Sequence, residues 1–215
     1  SLNLYKKKNI EVIKVKCGEK VKSIKEYVKL SEILIKNQLN RKSVIIAIGG
    51  GTLGDLVGFV ASTILRGVDF YLIPSTLLSQ VDSSIGGKNG INIKYGKNLI
   101  GTFYQPKKVL IDISLLNSLP KREIRAGYAE IVKHALIKDY KFFSWLEENS
   151  SQLFKLNKFI LETAIYNSIK IKLFYVKNDQ KEVLINKNSR AMLNFGHTIG
   201  HAIESNYKYK KINHG

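Results

Sequence analysis

The stretch SVIIAIGGGTLGD, residues 43–55, decides how this chain is read. Ser43 to Ile48 is a short β-branched run that ends in Gly49, Gly50 and Gly51, and Leu53 to Leu65 then carries apolar residues at helical spacing. The pattern is strand, glycine turn, helix. Phe70 to Ile73 reads as a second apolar strand that stops at Pro74, and Val109 to Ile111 as a third that follows Pro106. Strands alternating with helices predict a mostly parallel sheet wound with helices, a Rossmann-like α/β fold. Gly49, Gly51 and Gly54 satisfy G-x-G-x-x-G where a strand meets a helix. There glycines let the backbone approach a pyrophosphate, and the helix N-terminus supplies free N–H groups and a positive dipole end. The acidic ribose partner expected about 20 residues on would be Asp69. It precedes its strand instead of ending it, so a plain strand-to-helix turn stays open as the alternative.

After Pro120, the last of three prolines, the pattern turns helical. Residues 122–137, 140–148, 159–177 and 189–206 read as helices, with a polar loop over 178–188. This composition shift predicts an α/β part over 1–113 and an all-α part over 114–215, with a ligand cleft between them.

Composition narrows the function classes. With 215 residues, 44% of them hydrophobic, the chain is long enough to bury a real core. No apolar run reaches the roughly 18 residues of a membrane span, and the N-terminus lacks a signal-peptide layout. The expected address is cytoplasmic, with no membrane partner. A formal charge of +18 invites a nucleic-acid reading. However, the lysines are scattered from Lys6 to Lys211 and never form a block longer than Lys6 to Lys8, so no nucleic-acid partner is expected. A basic cleft for a small, multiply anionic substrate accounts for the charge as well. The single cysteine, Cys17, excludes an intramolecular disulfide and a thiolate zinc site.

Two further clusters carry chemistry. Asp82, Ser83, Ser84, Gly86, Gly87 and Lys88, followed by Gly96, Lys97 and Asn98, read as a backbone-rich loop that holds phosphate or carboxylate oxygens, or as a bland flexible loop. His197 and His201 lie four apart, which puts both imidazoles on one helical face, with Glu130 and Lys133 on another helix and His214 near the end of the chain. Glu130 and His134 are also four apart, so two candidate metal triads compete.

The strings GGGTLGDLVGF (49–59), ILRGVDF (64–70), IPSTLLSQVDSSIGGKNGIN (73–92), GKNLIGTFYQP (96–106), LPKRE (119–123), AEIVKHALI (129–137) and LNFGHTIGHAIE (193–204) occur in this order. Together they resemble the motifs of the 3-dehydroquinate synthase family over nearly the whole chain. The resemblance implies closure of a seven-carbon sugar-acid phosphate into 3-dehydroquinate with loss of phosphate, using NAD and Zn2+, with Co2+ as a substitute. It implies Glu130, His197 and His214 as metal ligands; His134 matches no family ligand. Lys133, Lys172, Arg190 and Asn194 match the positions that hold the substrate's carboxylate and hydroxyls. Lys88, Asn98 and His201 match groups around the phosphate, with Arg66 reaching it from the partner subunit of a homodimer. Asp82 sits beside metal and substrate. For NAD, Gly50, Gly51, Thr52 and Asp55 match the glycine turn and nicotinamide side, and Glu19 and Lys22 the ribose region. Ser75, Thr76, Leu78, Asp82, Lys88, Lys97 and Ser118 match further contacts. Family chains are expected to run beyond both ends of this sequence.

Arg190, Asn194 and His197 at spacings of four and three predict one helical face turned to the metal. Related sugar phosphate cyclases and glycerol-type metal alcohol dehydrogenases are the rival enzyme readings. A piece that only binds NAD or a partner chain is the non-enzyme one.

Overall fold

A computed structural model describes residues 10–16 and 18–206. Its elements are α1 (Ile24–Lys36), β1 (Ile45–Gly49), α2 (Gly51–Thr63), β2 (Phe70–Pro74), β3 (Lys88–Ile93), β4 (Gly96–Phe103), β5 (Lys108–Val109), α3 (Lys121–Lys138), α4 (Tyr140–Phe154), α5 (Lys158–Asn178) and α6 (His197–Asn206). A π-helical turn spans Ser79–Ser83, and a 3-10 turn spans Arg190–Asn194.

The parallel sheet is present, in the order β1-β2-β5. Ile45 pairs with Phe70, Gly49 with Pro74, and Leu72 with Val109. β-branched residues fill β1 and suit its pleated surface, and the strand ends where Gly49 accepts from the Ser75 backbone N–H. α2 begins at once, and its N-cap Gly50 makes no side-chain cap. α1, α4 and α5 are capped in the ordinary way, in that Ser23 accepts from the Glu26 N–H, Asp139 from Phe142 and Asn157 from Ile160, whereas α3 follows Pro120 with no side-chain cap.

Two apolar cores form. Leu56, Val60, Phe70 and Ile91 anchor one, between the parallel sheet, α2 and β3. Leu116, Ile131, Leu146, Leu161 and Tyr175 anchor the other, among α3, α4 and α5. Leu77 and Val81, flanking the start of the π-turn, belong to the second core, so the π-turn is pinned against the helices.

Three expectations change. The region after Gly87 is no loose loop: β3 and β4 form an antiparallel hairpin with Gly90 opposite Gly101. An added Cβ on Gly101 would stand 2.2 Å from the Asn89 carbonyl oxygen, so the glycines permit the close pairing. The helix expected over 189–206 is broken. Phe195 and Gly196 separate the 3-10 turn from α6, and Gly196 has φ 79°, in the left-handed region that ends helices. Arg190, Asn194 and His197 therefore share no continuous helical face. Finally, α1 forms over residues for which no helix was expected; Leu30 and Leu34, four apart, are its buried pair.

Candidate active site

A cavity of about 610 Å³ opens between the β3–β4 hairpin, the π-turn, α3, α5 and the segment 190–197. Asp55, Asp82, Lys88, Asn98, Lys133, Lys172, Arg190, Asn194 and His197 all line it. Nine side chains singled out from sequence thus converge, even though the helix expected to align three of them is broken.

The α3–α5 wall is made of buried charge. Glu130 and Lys133, one turn apart on α3, pair through Glu130 Oε2, and His197 Nε2 stands 3.6 Å from the other oxygen, Oε1. Burial pushes the Glu130 carboxyl up, but His197 and Lys133 outweigh it and hold it below its ordinary value. Lys172, on α5, donates to Asp82 Oδ1 at 2.6 Å and also to the Asp82 carbonyl. Burial would raise Asp82; Lys172, with His134 and Lys133 behind it, instead holds it well below the usual carboxylate range. His134 is fully buried, with Nδ1 2.7 Å from Ser168 Oγ and Nε2 3.6 Å from Asp82 Oδ1.

The opposite wall is wetter. Lys88 pairs with Glu182 Oε2, and Asn194 Nδ2 donates to Glu182 Oε1 at 2.7 Å. Arg190 is buried, and its Nη1 donates to the carbonyls of Gly86 and Gln180, both at 2.9 Å. Gly86 has φ 102°, and a Cβ there would come within 2.4 Å of Arg190 Nη2, so only glycine lets the guanidinium lie this close. Asp179 holds the intervening loop by accepting from the backbone N–H groups of Val183, Leu184 and Arg190 and from the Ser189 hydroxyl.

Several of the residues expected to meet the dinucleotide lie along the adjoining edge. A narrow cleft at the end of the parallel strands is lined by Gly49, Gly50, Gly51, Pro74 and Ser83, and Ser83 also lines the main cavity. Thr52 sits in the first turn of α2, and Thr76 packs beside Gly50. Ser75 bonds to β1, and Leu78 opens the π-turn. Lys22 Nζ reaches both Asp55 and Asn98 at 2.5 Å, and Glu19 accepts from Asn92. Burial raises the Asp55 carboxyl above its ordinary value, and Lys22 opposes this only in part. Lys97, Ser118 and Arg66 are exposed and do not line the cavity. His214 lies outside the described residues, as does the side chain of His201.

The donors suit a zinc-type ion. Ligand atoms of Asp82, Glu130 and His134 all lie within 4.8 Å of one another, and His197 approaches Glu130 from the cavity side. Carboxylate and imidazole are the groups that bind Zn2+ when thiolates are absent.

Comparison with known proteins places this geometry in a family. Residues 12–126 match the 3-dehydroquinate synthase N-terminal family and residues 127–215 the 3-dehydroquinate synthase C-terminal family. The chain belongs to the 3-dehydroquinate synthase family. It is 49% identical to the 3-dehydroquinate synthase of Pelagibacter ubique (strain HTCC1062) across 100% of its own length and 58% of that protein's. The chain thus spans less than two thirds of that relative. Among solved structures it is similar to 2-epi-5-epi-valiolone synthase from Streptomyces hygroscopicus subsp. jinggangensis 5008 with NAD+ and Zn2+ bound. That match has 28% identity and a TM-score of 0.86, and covers 93% of this chain and 55% of that one. It is also similar to 2-deoxy-scyllo-inosose synthase complexed with carbaglucose-6-phosphate, NAD+ and Co2+, with 31% identity and a TM-score of 0.79, covering 95% of this chain and 56% of that one.

Two residues that touch this cavity's lining side chains escaped the sequence reading. Ser168 sits four residues before Lys172, on the same face of α5, and that spacing was the available signal. Glu182 is the acidic partner of Lys88, and nothing in its spacing announces a contact 94 residues away.

Proposed function

We propose that this chain carries the central site of a 3-dehydroquinate synthase, which converts 3-deoxy-D-arabino-heptulosonate 7-phosphate into 3-dehydroquinate and phosphate. The observation that carries the reading is one cavity in which Lys88, Lys133, Lys172 and Arg190 face Asp82 and His197. Four cations suit a substrate with both a carboxylate and a phosphate. Carboxylate and imidazole suit a metal and the hydroxyls it would bind.

NAD, when bound along the glycine turn, supplies reversible hydride transfer, and Zn2+ or Co2+ held by Glu130, His197 and His214 supplies Lewis acidity. The chain's own side chains bind and orient. Lys133 and Asn194 hold hydroxyls near the metal ligands. Lys88, Asn98 and His201 surround the phosphate, where positive charge stabilises the departing group. Arg190 enters the site pre-positioned by the Gly86 and Gln180 carbonyls, so its remaining N–H groups meet the carboxylate without reorganisation. Asp82, ionised by Lys172, accepts from a substrate hydroxyl. A homodimer, in which Arg66 reaches the partner's phosphate, and a cytoplasmic address belong to this reading. Leu65 and Arg66, at φ 51° and 67°, turn the chain sharply after α2 and leave Arg66 exposed. Among the described residues no helix is long and apolar enough to cross a membrane.

Product identification with the full-length protein and catalytic NAD tests the proposal. We expect dehydroquinate and phosphate in equal amounts with no accumulation of NADH. Steady NADH release, or turnover of a carboxylate-free sugar phosphate in preference, would overturn it.

A further inference from the structure

Asp82 presents one carboxylate to the cavity from a π-turn, the kind of helical irregularity that is frequent at functional sites. Lys172 and His134 approach it, and both contacts fall on Oδ1, so Oδ2 is the oxygen available to a ligand. Behind His134 stands Ser168, also fully buried. Serine, histidine and aspartate are the residues of an acyl-transfer triad, but the serine here has no access to solvent and the aspartate is the one facing the cavity. The chain of contacts therefore runs from Ser168 outward to Asp82.

We propose that Ser168 and His134 form a positioning relay that sets the orientation of Asp82. An ionised carboxylate only accepts, so the nitrogen that faces it must carry the proton. Nε2 is buried with no hydrogen-bond partner and its nearest acidic oxygen is Asp82 Oδ1, 3.6 Å away. His134 is then the Nε2–H tautomer. Its Nδ1 is the acceptor, and Ser168 Oγ is the donor at 2.7 Å. Asp82 selects the tautomer, Ser168 supports it by donating to Nδ1, and the Nε2–H faces Oδ1, which leaves Oδ2 to the cavity. The competing role for His134 is as a metal ligand through Nε2, which would reverse the Ser168 bond because Nδ1 would then carry the proton. Burial opposes positive charge on the ring, Asp82 favours it, and Lys133 and Lys172 oppose it, so metal analysis of the His134 variants separates the two roles.

The functional half of this inference rests on the proposed function, because Asp82 is taken to meet the substrate; the tautomer does not. In the full-length enzyme labelled with 15N-histidine, long-range ring correlations of His134, assigned by their loss in His134→Gln, should show the neutral Nε2–H form. Ser168→Ala should allow the other tautomer and lower kcat about tenfold, as when an outer partner of a site residue is lost, with KM within about twofold and metal content unchanged. His134→Gln, which keeps a donor near the Nε2 place, should retain more activity than His134→Leu at equal melting temperature. An Nδ1–H ring in the wild type, loss of metal from either His134 variant, or an unchanged kcat in Ser168→Ala would overturn the relay. If the enzyme makes no dehydroquinate at all, the function fails, while the ring correlations still decide the tautomer.

Discussion

Lysine does different work on the two walls of the cavity. Lys133 and Lys172 are 7% and 5% exposed, and each is locked to a carboxylate inside the helical part. The Lys88 side chain is 48% exposed and meets Glu182 at the edge of solvent. A buried pair has lost its hydration and depends on its partner, whereas an exposed pair exchanges one hydrated state for another. The first wall therefore sets geometry and protonation, and the second supplies adjustable positive charge. If that contrast is right, equivalent substitutions on the two walls must differ in kind.

The largest effect is expected at Lys172. Lys172→Met keeps the length of the side chain but leaves Asp82 beside the core without its ammonium. Breaking a buried pair in this way costs roughly 3–5 kcal/mol, and the part-open Asp82, 23% exposed, argues for the lower end. Denaturant unfolding should show the loss, and turnover should fall with it. A change under about 1 kcal/mol would mean that the pair is effectively solvated and that the two walls do not differ.

Next in size is the metal. Glu130→Gln removes the charge that His197 and Lys133 stabilise and, with it, one of three proposed ligands, so the full-length enzyme should lose stoichiometric metal. His214→Ala should do the same, and His134→Gln should not. Metal analysis of the three variants separates the two triads that spacing alone left open.

The fold was legible in the sequence where local chemistry and tertiary packing agree. The β-branched run before three glycines became β1 and the start of α2, and the periodic segments after Pro120 became α3 to α5. The sequence was less informative where a distant partner decides. The β3–β4 pairing depends on Gly90 meeting Gly101 across the hairpin, which no window of either strand reveals. The stretch 189–206 has helical periodicity, but Gly196 adopts a left-handed φ and breaks it. The resemblance named the cavity side chains, most of which motif strings carry, while Lys172 and Arg190 lie between the strings. Ser168 offered only its spacing to Lys172 and Glu182 offered nothing, because their roles come from what the fold brings beside them.

Between the walls lies the Asp179 loop. Its carboxyl is held below the ordinary value: burial would raise it, but the backbone N–H groups of Val183, Arg190 and Leu184 and the Ser189 hydroxyl prevail. A carboxyl depressed by folding contributes stability that is present above its unfolded pKa, near 3.9, and is lost as pH falls through the lower folded value. Protection of the amides in residues 180–190, relative to their intrinsic exchange rate at each pH, should therefore be high at neutral pH and fall only in acid. Asp179→Asn should show the reduced protection already at pH 7, and unchanged protection in that variant would show that the loop is held by something else.

The smallest effect on stability belongs to Glu182, and it is the sharpest test of the wet wall. Its carboxylate takes up Lys88 and Asn194, the two groups proposed to receive substrate oxygens, and so occupies their donors as an anionic ligand would. Because Lys88 is half exposed, Glu182→Gln should change unfolding free energy by no more than about 0.5 kcal/mol. The same substitution frees Lys88, so an incoming phosphate no longer has to displace a bound carboxylate. Inorganic phosphate should then inhibit the full-length variant about two- to fivefold more tightly, the range that an exposed ion pair allows. The gain should shrink as ionic strength rises and shortens the screening length. Weaker phosphate inhibition would show instead that Glu182 holds Lys88 in place for the anion, and the wet wall would then be as pre-set as the buried one.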